Sequence, residues 1–234
     1  RGLSTERRDD SVILDAATRR NLEIGESLSG RPEHTLAGVM DRTATAMGSR
    51  LLRRWISRPL RDQVAVRERH AAIACLLDRR LVEPLRDLLR SIGDIERILA
   101  RVALKTARPR DLAVLRDSLS ALPTLQAELN GVEDPGLTAL SAEIGEHPRT
   151  HDLLNRAILE NPPVVLRDGG VLAPGYDGEL DELRDLSQNA DQFLVDLEQR
   201  ERKRTGIATL KLGYNRVHGY YIEISKAQVD KAPV

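Results

Sequence analysis

The hydrophobic period of this chain changes at Gly206, and that change limits the folds open to it. Before it, over residues 177–205, apolar side chains fall at Leu180, Leu183, Leu186, Ala190, Phe193, Leu194 and Leu197. Steps of three and four make one narrow helical stripe. Unbroken, such a helix would be about 43 Å long at ~1.5 Å per residue. After Gly206 the period is two. Leu210, Leu212 and Tyr214 alternate with Lys211 and Gly213, while Tyr220, Ile222 and Ile224 alternate with Tyr221, Glu223 and Ser225. Between them NRVHG (215–219) supplies a turn, in which Asn215 and Gly219 can take positive φ. The pattern predicts a β-hairpin at the end of a long helix. Two strands alone are marginal in water, so further strands or a partner are expected to cover the apolar face.

Most of what precedes is helical. Residues 11–24 open on a short apolar run suited to a strand and then turn amphipathic. Leu36, Val39, Met40, Met47, Leu51 and Trp55 share one helical face, closed by SRPL at 57–60 because proline lacks a donor and restricts Arg58. Helices are expected over 64–77, 82–89, 95–105, 111–122 and 151–160. Asp94 suits an N-cap and Pro109 a first helical turn. Pro, Asn and Gly between 123 and 136 mark linkers. VVLRDGGVLA (164–173) reads as a second hairpin around Asp168, Gly169 and Gly170. The fold class is mainly α: a helical bundle with one long helix and small β-hairpin elements.

Charge is balanced in sum but not in place. The 234 residues carry 36 bases and 36 acids, so no bulk charge advertises a polyanion or a membrane. Yet residues 177–198 hold eight acids and one base, whereas 199–226 hold seven bases and two acids. Cations near a helix C-terminus are expected from the helix dipole, which covers Arg200 to Arg204. It does not cover Lys211, Arg216 and Lys226. A basic hairpin suits sequence-independent contact with a phosphate backbone. The other reading is a structural hairpin whose bases serve solubility. One cysteine, Cys75, excludes an internal disulfide framework. No apolar run reaches the roughly 18 residues of a membrane span. The chain opens on Arg1 and stops on Val234, which suggests a piece of a longer protein.

Several long stretches carry a family resemblance. TAMGSRLLRRWISRPL (45–60), IGDIERILARVALKTARPRDLAVLR (92–116) and LKLGYNRVHGYYIEIS (210–225) closely resemble the bacterial MutS family of DNA mismatch-recognition ATPases. LDAATRRNLEI (14–24), NPPVVLRDGGVLAPGYDGELDEL (161–183) and RERKRTGIATLKLGYN (200–215) match it in the same order. The resemblance implies an α-helical core or lever domain over 11–206, the tail of a connector over 1–10, and the start of a β clamp over 207–234. The clamp of that family holds duplex DNA through its backbone. A homodimer, a MutL-type repair partner, a bacterial cytoplasmic setting, and ATP with magnesium are implied for the full-length protein.

The family's chemistry is absent from this stretch. The single phenylalanine, Phe193, is followed by Leu194 and Val195 rather than by a mismatch-reading Phe-x-Glu. No GxxxxGK[ST] phosphate loop is present, and the glycines at 169–178 lack the Lys-Ser/Thr. The chain itself is therefore expected to be non-catalytic, without a cofactor. His34, His70, His147 and His151 lack a metal-ligand spacing.

Given the resemblance, Arg216 leads as a phosphate contact, since the turn pushes it out between two strands. Lys211 and Lys226 follow, with solvated lysines as the competing reading. Asn215 can serve the turn through its side chain. His218 can donate to a phosphate or cap the turn. Tyr220 and Tyr221 point to opposite faces. A second hypothesis makes the chain a helical interaction scaffold whose hairpin pairs with a partner's sheet edge.

Overall fold

The computed structural model describes residues 11–217 and 219–231. The expected connector tail over 1–10 lies outside the described residues. The chain divides into two compact units, at the step from Ala173 to Pro174.

Among the described residues the first unit is mainly helical. Its elements are α1 (Ala16–Asn21), α2 (Leu36–Met40), α3 (Ala46–Ser57), α4 (Gln63–Asp78), α5 (Val82–Arg90), α6 (Ile95–Ala103), α7 (Pro109–Glu128), α8 (Pro135–Glu143) and α9 (Pro148–Ala157). Caps set their starts. Thr45, Asp62 and Asp94 accept from backbone N–H groups in the first turns of α3, α4 and α6. The stripe from Leu36 to Trp55 is shared by α2 and α3 rather than by one helix. Asp41 interrupts it, with its carboxylate accepting from Thr43 and Ser49.

The helix α7 is the axis of this unit. One core cluster joins Ile98, Leu115, Leu119, Leu154, Ala157 and Ile158. A second joins Leu85, Ile92 and Leu125, with Leu122 packed against both. The linker expected from Pro123 onward is instead helical as far as Glu128. An interior proline costs about 3 kcal/mol. Leu125 is buried in the second cluster with half-buried Leu122 and Leu129 packed against it, and fully burying one such side chain returns about 1.5–3 kcal/mol. Packing wins. The following helix α8 starts at the end of that expected linker and is not predicted by the periodicity, although Asp134 accepts from Leu137 N at 2.9 Å and Pro135 takes the first turn.

The hairpin expected over 164–173 does not form. Leu166–Asp168 is a 3₁₀ turn, and Leu172 bridges to Ile158. Leu159 N donates to Val171 O and Ala173 N to Ala157 O. The apolar run after the glycines found α9's end as a partner, where Val171 and Leu172 pack on the first cluster.

The second unit holds α10 (Gly178–Gln188), α11 (Ala190–Thr205), β1 (Lys211–Asn215), β2 (Gly219–Glu223) and a 3₁₀ turn at Lys226–Lys231. The single long helix expected over 177–205 is thus two, parted at Asn189 (φ −109°, ψ 24°). Asparagine is a poor helix former, and Ser187 and Gln188 beside it add little apolar anchoring. Gly206 ends α11 with φ 69°, the left-handed conformation that glycine supplies without penalty. Ile207 and Leu210 are the buried residues of this unit, among those described.

Candidate nucleic-acid interface

The hairpin is antiparallel, pairing Lys211 with Glu223, Leu212 with Ile222, Gly213 with Tyr221, Tyr214 with Tyr220 and Asn215 with Gly219. Paired residues share a face. One face therefore carries Leu212, Tyr214, Tyr220 and Ile222. The other carries Lys211, Tyr221, Asn215 and Glu223. The two tyrosines lie on opposite faces, as the alternation predicts: Tyr220 on the apolar face and Tyr221 on the face of Lys211.

Packing on the two faces differs. Tyr214 and Tyr220 stack with ring centroids 4.9 Å apart at 53°, yet both remain exposed along with Ile222. On the other face, the Tyr221 ring lies over Gly213, where an added Cβ would stand 2.7 Å from its Cζ and Oη. Only glycine leaves that ring its place.

The turn follows from Asn215 and Gly219. The Asn215 Oδ1 accepts from Val217 N at 3.0 Å, an Asx-type closure. Gly219 has φ 73°, while Asn215 keeps an ordinary negative φ. Arg216 and Val217 are exposed at the tip. His218 lies outside the described residues. Lys211 is exposed at the start of β1, and Lys226 opens the 3₁₀ turn beyond β2 rather than extending the strand. That turn is tied to the root of β1, since the Thr209 hydroxyl donates to Gln228 Oε1 at 2.6 Å and lies 3.3 Å from Ser225 Oγ. From Lys211 to Arg216 the hairpin spans about 17 Å, the axial rise of about five phosphates of one DNA strand.

The bases of this unit fall into two groups. On α11, Arg202 pairs with Glu198 at 2.7 Å and Arg204 with Glu201 at 2.7 Å. Arg200 lies 3.9 Å from Glu201. Among the described residues, Lys203 at the end of α11 has no ion-pair partner, and past Gly206 neither do Lys211, Arg216 and Lys226. Glu223, opposite Lys211, is the one acid among the described residues of the hairpin's polar face.

Sequence reading also missed Glu198 and Arg202. Leu212 N donates to Glu198 Oε2 at 2.8 Å, and Arg202 Nε donates to Leu210 O at 2.7 Å. An i,i+4 Glu–Arg pair reads from sequence as ordinary helix surface. Nothing in its spacing signals a strand alongside.

No group of three His, Cys, Asp or Glu residues is placed to hold a metal ion among the described residues. Among these residues no helix is long and apolar enough to cross a membrane.

The architecture is that of a mainly helical chain whose α11 leads into an exposed basic hairpin. Residues 17–212 match the family model for MutS domain III, and the chain belongs to that family. The match takes in α1 through α11 and the first residues of β1, and stops before the turn. Membership implies a role in DNA mismatch repair, and suggests DNA binding and dimerisation.

Proposed function

We propose that this chain is the lever and the beginning of the clamp of a mismatch-repair ATPase, gripping duplex DNA through backbone phosphates without catalysing a step itself. The observation that carries this reading is the division of bases. The arginines of α11 are engaged by Glu198 and Glu201, whereas Lys211, Arg216 and Lys226, like Lys203 at the end of α11, are solvent-facing and uncompensated by any described acid within ion-pair distance. Uncompensated bases that meet phosphates displace the counterions condensed on the DNA, and that release drives sequence-independent binding. In this reading ATP and magnesium act in other parts of the full-length protein, a cytoplasmic bacterial homodimer working with a MutL-type partner. The helices between serve to couple nucleotide state to the grip. The rival reading, an interaction scaffold that pairs its hairpin edge with a partner sheet, is disfavoured at β1, because Leu210 O and Leu212 N already have partners on α11.

The test is fluorescence anisotropy with labelled homoduplex and mismatched duplex. The expected result is a Kd on the order of 10⁻⁴–10⁻⁶ M, the range of non-specific binding, equal for both duplexes and lost in the Lys211→Glu/Arg216→Glu variant. Preference for the mismatch, or a variant that binds like the parent, would overturn the reading.

A further inference from the structure

The hydrogen bonds from α11 to β1 have a geometry that an ordinary surface ion pair would not produce. In a β-strand, residues two apart turn their backbone N–H and C=O groups to the same side. Leu212 lies in β1, and its N–H, bonded to Glu198, marks the strand's outer edge; Leu210 directly precedes β1, with its N–H turned back to Ile207 O and its carbonyl offered to α11. Along a strand these groups repeat about every 6.6 Å. Along a helix, residues four apart advance about 6 Å on one face. The carbonyl of Leu210 and the N–H of Leu212 lie within one strand repeat, so side chains from two successive turns of α11 reach both. Glu198 offers an acceptor where a neighbouring strand would place a carbonyl, 2.8 Å from Leu212 N. Arg202 offers a donor where that strand would place an N–H, 2.7 Å from Leu210 O. The remaining carboxylate oxygen and guanidinium nitrogen close on each other at 2.7 Å. Both side chains are about two-thirds or more withdrawn from solvent, at 24% and 35% exposure.

We propose that Glu198 and Arg202 form a side-chain surrogate for a third strand, and that this surrogate is the positioning element of the DNA grip. By fixing the backbone on both sides of Lys211, it sets the direction of that lysine and of the hairpin carrying Arg216. It also makes the end of α11 and the start of the hairpin one mechanical piece, so a displacement of the helix is passed to the strand through two charge-assisted bonds. The role in DNA binding rests on the function proposed above. The closed edge does not.

The decisive variant is the exchange Glu198→Arg/Arg202→Glu. It keeps the ion pair, the net charge and two good helix formers, but presents a donor to Leu212 N–H and an acceptor to Leu210 C=O. A pair serving only helix stability would tolerate the exchange. The surrogate predicts loss of protection of the Leu212 amide in hydrogen exchange, and a roughly tenfold weaker affinity for homoduplex by anisotropy, as expected when charge-assisted bonds are lost. The Glu198→Ala/Arg202→Ala variant should weaken binding to a similar degree. Parent-like affinity in the exchanged variant, or a Leu212 amide unprotected in the parent, overturns the proposal. Loss of Leu212 protection with unchanged affinity overturns the positioning role while leaving the phosphate grip standing, provided Lys211→Glu/Arg216→Glu still abolishes binding. If the parent binds no DNA at low salt, the grip and its positioning fall together, and exchange at Leu212 reports the closed edge alone.

Discussion

Ser118 is fully buried within α7, and its hydroxyl makes two bonds: it donates to Val114 O at 2.6 Å and accepts from Gly93 N at 2.9 Å. The second joins α7 to the loop that leads into α6. Removing the hydroxyl leaves the Gly93 N–H without its partner in a tight site, where an added Cβ on Gly93 would stand 2.3 Å from Val114 Cγ1. Ser118→Ala should therefore cost about 1–3 kcal/mol, the penalty of an orphaned buried donor. Urea unfolding should show a lower midpoint with an unchanged m-value. At this scale legibility was uneven. Asp94 and Pro109 declare their helix starts because capping chemistry is local and short-range. Ser118 and Glu198 declare nothing, since the partners that give them meaning are 25 and 14 residues away.

Between elements, bidentate ion pairs join what the sequence reads as separate helices. Arg50 on α3 donates to both oxygens of Asp94, at 2.6 and 2.7 Å, and so ties α3 to the cap of α6. Arg101 grips Asp111 at 2.7 and 2.8 Å and ties α6 to α7. The Arg50 hydrogen bonds hold the Asp94 carboxyl below the usual carboxylate range, and those of Arg101 do the same for Asp111. A carboxylate whose folded pKa is depressed stabilises the fold above its unfolded pKa, and that contribution is lost as pH falls through the folded value. The helical unit should lose stability below about pH 4, where free aspartate begins to protonate. Arg50→Ala should return Asp94 toward its ordinary pKa. Circular dichroism at 222 nm should then show acid unfolding beginning at higher pH than in the parent, whereas an identical acid midpoint would rule this coupling out. The errors of sequence reading also lie at this scale. Helix type and order were plain from period. Continuity was not, because Pro123 is overridden by core packing, while Asn189 interrupts a stripe that is in phase on both sides.

The whole chain is neutral, but its charge is sorted along its length: acids gather on α10 and early α11, bases on late α11 and the hairpin. The hairpin was legible as an element because a period of two after Gly206 admits little else, and the turn was legible from Asn215 and Gly219. Which bases are free was not. That depends on Glu198 and Glu201 engaging the arginines of α11, a choice made by side-chain geometry rather than spacing. The central claim is that Lys211, Arg216 and Lys226 meet phosphates. Its most direct test is the salt dependence of homoduplex affinity for the parent and for a Lys211→Ala/Arg216→Ala/Lys226→Ala variant. The account predicts that log K falls linearly with log salt, with a slope shallower in the variant by about 0.9 for each phosphate contact removed. Equal slopes and equal affinities in the two proteins would contradict it.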